Sequence, residues 1–308
     1  MNEVITQFLE ALQAGDRAAS TVTAYRNDLT LFARWFEQTT GDKFTLESVT
    51  PTDIRDFRQH GLLVEKRKAA TVNRRLAAIS ALFTWAQKSG RINYNPASEI
   101  HLVETDALAP RSLDRQQQNR LERTLEQESQ LAMDLPVRGV TRKRDGALVL
   151  FLLHTGLRIS EALALHLEDV SLGERSGRVE IRQAKRTRQR SVPLNDAARK
   201  ALQAWLGVRP LNGSDLLWVA TEGRGHTSLS SRTVQRMFKR LAHQANIDPA
   251  CLTPHVLRHT FARNLIDRGE SIHVVARLHG HSSLDTTKRY IQPSERDLEK
   301  AVQRLAER

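Results

Sequence analysis

A single cysteine, Cys251, in a chain of 308 residues excludes an internal disulfide and a zinc site built on clustered thiolates. That usage fits a reducing compartment and moves any covalent chemistry to another side chain. Long apolar runs are also missing. The longest, Ala147 to Leu153, cannot span a bilayer, and Met1-Asn2-Glu3-Val4-Ile5-Thr6 lacks the basic stretch and apolar core of a signal peptide. A cytoplasmic protein with no membrane association is expected. Neither an internal repeat nor a low-complexity tract is present. Acidic residues are in deficit, 35 against 47 Lys and Arg, which leaves a formal net charge of +12 and a pI near 10.4. Such a balance constrains partners rather than fold, and it points to a polyanion. Arginine clusters occur in both halves, so the basic surface is expected over both, with nucleic acid as the leading partner.

The length suits two domains, each large enough to bury its own core. From Met1 to about Ile100 the pattern is helical, with Tyr25, Leu29, Phe32 and Trp35/Phe36 in one stripe and Leu76, Ile79, Leu82 and Phe83/Trp85 in another. Thr50-Pro51-Thr52-Asp53 predicts a helix start, with a capping hydroxyl, a proline at the first helical position and an acid in the first turn. Asn95-Pro96 predicts the end of the last helix in this section. Residues 101–112 carry little periodicity, include Pro110, and are read as a linker between a domain at 1–100 and one at 113–308. In the second half Arg178 to Arg182 alternates with period two, and after a short basic turn Arg188 to Leu194 follows, which predicts a β-hairpin. Helices resume from about Asp196. The polar stretch Glu126 to Arg144, with Pro136 and Gly139, is expected to form an irregular surface loop or insertion. The fold class is therefore mainly α with a small β-sheet.

Several segments carry groups able to hold a phosphodiester. Thr155-Gly156-Leu157-Arg158-Ile159-Ser160-Glu161 reads as a turn entering a helix, with Glu161 close enough to steady the Arg158 guanidinium; by itself such a pair is more often a surface ion pair. Thr253-Pro254-His255-Val256-Leu257-Arg258 places His255 and Arg258 on one face near a helix N-terminus, where backbone N–H groups and an arginine fork suit phosphate. Gln183 to Arg190 reads as a solvated cationic loop, and Arg186, Arg188 and Arg190 are expected to touch DNA backbone. Lys185 stands apart, because a lysine at a hairpin tip can enter a groove and protonate a leaving oxygen, a role worth roughly 10²–10⁴ in rate. Gly280 fits a helix C-cap before His281, and Ser283 or Asp285 could cap a short helix carrying Tyr290. A tyrosine hydroxyl can act as a nucleophile that forms a covalent intermediate. In the first half, Arg26, Lys66, Arg67, Lys68, Arg74 and Arg75 are the expected phosphate contacts.

The order Arg158, Lys185, His255-x-x-Arg258, His281, Tyr290 resembles the tyrosine recombinases, the phage-integrase and Xer-like group. The likeness includes Thr155-Gly156-Leu157-Arg158, Val192-Pro193-Leu194, Leu257-Arg258-His259-Thr260-Phe261-Ala262 and Gly280-His281-Ser282-Ser283. Thr21-x-x-x-Tyr25 and Thr71-Val72-Asn73-Arg74-Arg75-Leu76 extend it over nearly the whole chain. The family often has glycines beside the active lysine, where this chain has Ala184 and Arg186. His279 stands where a leucine is common and is expected to be structural.

The resemblance implies a two-domain clamp: an N-terminal helical, SAM-like core-binding domain and a C-terminal mixed α/β catalytic domain. It implies that Tyr290 attacks the scissile phosphate to give a 3′-phosphotyrosyl link and a free 5′-hydroxyl. Arg158, Arg258 and His281 would stabilise the transition state, His255 would act as base or hydrogen-bond donor, and Lys185 would protonate the leaving oxygen. Neither metal nor ATP is required. The implied partners are double-stranded core sites, a tetramer of the chain on two such sites, and in some cases a second recombinase or accessory protein. Leu298, Ala301, Val302 and Leu305 form an apolar stripe on a helix at 294–308, which the family docks into a neighbouring protomer. Two other readings stay open, a type IB topoisomerase-like relaxing enzyme and a non-catalytic DNA-binding accessory protein. Supercoil relaxation without recombinant products, or binding without an adduct, would distinguish them.

Overall fold

Capping side chains mark where several helices begin in the computed structural model, which describes residues 2–15, 17–104, 111–131, 136–182, 190–211, 213–221 and 228–280. The chain divides into two units, Met1–Ala107 and Leu108–Arg308. Residues 105–110 of the expected linker lie outside the described residues.

In the first unit α1 (Glu3–Ala14) is capped by Asn2, and α2 (Ala19–Thr40) ends at Gly41 with φ +81°. Helix α3 (Pro51–Gln59) opens with the Thr50/Asp53 capping box, each side chain satisfying the other's backbone N–H. A single π-helical turn, His60–Val64, leads towards α4 (Ala69–Lys88). The two predicted stripes meet in the core: Leu29, Phe32, Ile79, Leu82 and Phe83 are fully buried, and Phe57 sets its ring edge against Phe32 at 5.0 Å. Helix α4 stops at Lys88, before the Asn95-Pro96 that was predicted to end it. Glycine rather than proline makes the break: Gly90 takes φ +71°, and Asn95 instead accepts the Ala97 N–H in a downstream turn.

The second unit contains α5 (Arg115–Leu131), α6 (Pro136–Thr155) and the short α7 (Ile159–Leu163). A three-stranded antiparallel sheet follows, in the order β1 (Val170–Leu172), β2 (Gly177–Ile181), β3 (Arg190–Pro193). Val179 pairs with Val192 and Ile181 with Arg190. The hairpin turn at 183–189 lies outside the described residues, and β1 is a strand the sequence pattern did not announce. Helices α8 (Asp196–Leu206), α9 (Ser231–Gln244), α10 (Pro254–Asp267) and α11 (Ile272–His279) complete the described part. Its core centres on Trp205 and Trp218, stacked at 6.3 Å, with Phe151 against Trp218 and the Trp205 indole N–H donated to the Leu217 carbonyl.

The stretch Glu126 to Arg144 is not an irregular loop. Helices α5 and α6 run through it, with only 132–135 outside the described residues. Its polarity hides the helices because part of it is turned inward. Glu128, Arg144 and Asp145 are buried, and Arg240 of α9 pairs with both Glu128 and Asp145. Pro136 occupies the first position of α6, where its missing N–H costs no helical bond. Among the described residues no helix is long and apolar enough to cross a membrane.

Candidate active site

Helix α6 ends at Thr155, whose hydroxyl donates back to the Phe151 carbonyl, and the chain turns at Gly156 with φ +63°. A Cβ at 156 would lie within 2.9 Å of Phe261 Cε1, so the turn needs glycine both for its torsion and for the ring packed on it. The turn sets Arg158 in extended backbone as the N-cap of α7. Glu161, three residues on, accepts from the Arg158 backbone N–H at 2.9 Å through Oε2 and from its guanidinium at 3.0 Å through Oε1. The Arg158 side chain is 39% exposed, so its guanidinium is partly open to solvent.

Helix α10 starts as its sequence predicts: Thr253 accepts the Val256 N–H at 3.2 Å and Pro254 takes the first helical position. His255 is exposed in that first turn. Arg258, one turn further, points inward. Its Nη1 donates to the Gly156 carbonyl at 2.6 Å, 102 residues away in sequence, and its Nη2 to the His279 carbonyl at 2.8 Å. The same Nη1 lies 4.0 Å from Glu161 Oε2, so Arg158 and Arg258 share one carboxylate.

Helix α11 ends on Gly280, in the left-handed region at φ +64°, as the C-cap reading expects. His279, just before it, is fully buried and stacked on Phe261 at 5.8 Å.

Arg190 is the participant that the sequence reading misplaced. The cationic run groups it with Arg186 and Arg188 as a solvated contact for DNA backbone, but its side chain is only 11% exposed. Its Nη1 and Nη2 donate to Glu161 Oε1 and Oε2 at 3.1 and 2.8 Å, and its Nε donates to the Leu278 carbonyl at 3.1 Å. Strand alternation carries the signal that could have found it. Arg190 shares a face of β3 with buried Val192, and Leu194 continues that face. One carboxylate facing three guanidinium groups leaves the cluster positive. Burial pushes the Glu161 carboxyl up, but hydrogen bonds from Arg190 and the Arg158 backbone, with the charges of both arginines, hold it below its ordinary value.

Lys185, His281, Tyr290, Arg186, Arg188 and the expected helix at 294–308 lie outside the described residues. In the first unit Arg26, Lys66, Arg67 and Lys68 are exposed. Arg74 is half exposed and paired with Asp28. Arg75 contradicts its assignment as a phosphate contact. It is 8% exposed, makes two hydrogen bonds to Glu65 at 3.2 and 3.1 Å, and lies over the Phe57 ring.

Comparison with known proteins adds to this geometry. The phage integrase family model matches residues 111–296, and the model for the phage integrase N-terminal SAM-like domain matches residues 5–90. Tyrosine recombinase XerC of Corynebacterium glutamicum is 31% identical over 97% of this chain and 90% of its own length. Tyrosine recombinase XerD of Ralstonia nicotianae is also 31% identical, over 94% and 89% of the two chains. Among solved structures, the XerH site-specific recombinase bound to palindromic difH substrate, a post-cleavage complex, shares the fold. Its TM-score is 0.75 at 21% identity, covering 97% of this chain and 84% of that one.

Proposed function

This chain belongs to the phage integrase family of tyrosine recombinases, and from that membership we propose that Tyr290 is the nucleophile with which it cuts and rejoins DNA. The enzyme is a site-specific tyrosine recombinase acting on double-stranded DNA. The observation that carries the residue assignment is the convergence of Arg158 and Arg258, far apart in sequence, on the Glu161 carboxylate.

In the proposed step the Tyr290 hydroxyl attacks the scissile phosphorus, a P–Oη bond forms and the bond to the 5′ oxygen breaks. His255 takes the tyrosine proton or donates a hydrogen bond, and Lys185 protonates the leaving oxygen to give a free 5′-hydroxyl. Arg158, Arg258 and His281 face the charge that develops on the equatorial oxygens, where fixed donors contribute most. The 3′-phosphotyrosyl ester conserves the energy of the broken bond. A 5′-hydroxyl from a partner duplex then attacks that ester, restores the tyrosine and completes one strand exchange. Two such rounds on two core sites require four protomers, and the apolar stripe of 294–308 is proposed to link neighbours in that tetramer. The fold division supports an N-terminal DNA-binding domain with its linker near 101–112, and Arg26, Lys66, Arg67 and Lys68 supply its exposed cations. The cytoplasm, where duplex DNA is reached, is the proposed location.

The test starts from a pool of nicked duplexes with randomised sequence, incubated with the protein and washed under denaturing conditions, so that only covalent adducts survive and report the cleavage sequence. A supercoiled plasmid and a linear duplex, each carrying the recovered sequence, are then mixed with the enzyme. Joint products that vanish in Tyr290→Phe are expected; relaxation of the plasmid without joint products would replace this reading with a topoisomerase.

A further inference from the structure

We propose that Arg190 is a positioning residue for DNA cleavage: it ties the Glu161 carboxylate, and with it Arg158, to the end of α11 directly before His281. Four contacts form a closed ring. Arg190 takes both Glu161 oxygens in a fork, and its Nε holds the Leu278 carbonyl. Arg258 holds the next carbonyl, His279, and stands 4.0 Å from the same carboxylate. Consecutive carbonyls at the end of α11 are therefore gripped by two arginines that share one anion. The ring joins β3, α7, α10 and α11, and of the proposed site Arg158 caps α7 while His255 and Arg258 lie on α10.

The packing leaves little slack around this guanidinium. A Cβ on Gly280 would lie 2.6 Å from Arg190 Nη1, so the helix end closes on Arg190 only because position 280 has no side chain and accepts φ +64°. A mostly buried arginine on an inward strand face needs its donors engaged, and the fork plus the third nitrogen achieve this in a way a lysine cannot: an ammonium is a point charge that reaches one partner at a time. The geometry thus calls for the shape of arginine as well as its charge. Displacing Arg190 would free the Glu161 carboxylate to turn, release Arg158 from one side, and let the end of α11 drift. A misplacement of about 1 Å at a reacting centre costs about 100-fold in rate.

This role rests on the recombinase reading, and its test uses the cleavage duplex recovered above. Single-turnover adduct formation is measured at saturating protein for the wild type, Arg190→Lys and Arg190→Ala, alongside binding of the same duplex. Cleavage is expected to fall about 100-fold in both variants while affinity stays within about twofold. The residual cleavage of Arg190→Ala should also weaken on the acid side. There Glu161, left facing only Arg158 and Arg258, would take up a proton at a higher pH than in the wild type. Glu161→Gln should lose cleavage to a similar degree, and the double variant Glu161→Gln/Arg190→Lys no more than either alone, because both break one ring. Wild-type cleavage by Arg190→Lys, losses that multiply in the double variant, or an affinity loss matching the rate loss would each overturn the proposal. If Arg190→Ala fails to fold, Arg190→Lys and the double variant decide. Absence of any wild-type adduct would count against the recombinase reading, whereas an adduct kept by Arg190→Lys would count against Arg190 alone.

Discussion

At Gly156 and Gly41 the backbone takes a left-handed torsion, φ +63° and +81°, yet the two positions should respond differently to a methyl group. Nothing lies within 4 Å of a Cβ at Gly41, so Gly41→Ala bears torsional strain alone and should cost about 1 kcal/mol. At Gly156 the Cβ meets the Phe261 ring, and Gly156→Ala should cost about 3 kcal/mol or more. Urea unfolding of the two variants measures this, and equal losses would contradict it. Residue identity at the site was partly legible: Arg158, Glu161 and Arg258 are announced by their motifs, and the structure draws them together. Arg190 and Arg75 were not, because a run of cations states charge and not direction. Arg190 shares an inward strand face with Val192, and Arg75 precedes buried Leu76 in α4, whose apolar stripe gives no hint that Glu65 waits ten residues upstream.

Among the elements, the turn His60–Val64 is tied to α4 by Glu65, which receives Arg75 and Arg67. Those two hydrogen bonds, Arg75 first, hold the Glu65 carboxyl down from 4.5 to about 2 against the opposing effect of burial. Because the folded value is depressed, the stabilisation is complete above about pH 4.5 and is lost as the pH falls towards about 2. Glu65→Gln should therefore destabilise the chain by about 1–2 kcal/mol at neutral pH, a discounted figure because the side chain keeps some solvent. The gap to wild type should shrink steadily below pH about 4.5; a gap independent of pH would show that Glu65 contributes by packing. Helices with apolar stripes and the β-hairpin were readable from periodicity. The helices through Glu126 to Arg144 were not, because Glu128, Arg144, Asp145 and Arg240 replace apolar packing with buried ion pairs, which look like loop composition in sequence. Strand β1, three residues long, is too short for any alternation to register.

For the whole molecule, the net charge of +12 points to a polyanion, and the ordered motif set narrows this to one family. What no pattern in sequence conveys is convergence. Glu161, Arg190, Arg258 and the carbonyls of Leu278 and His279 meet only when β3, α7, α10 and α11 pack, and that meeting gathers separate cations into one cluster. The central claim is that Tyr290 is the atom donor to DNA at that site. Its most direct measurement is proteolysis of the covalent adduct followed by mass spectrometry of the nucleotide-bearing peptide. The account predicts a nucleotide joined through its 3′ phosphate to Tyr290, with a 5′-hydroxyl on the released strand. Attachment to any other residue, or through a 5′ phosphate, would contradict it.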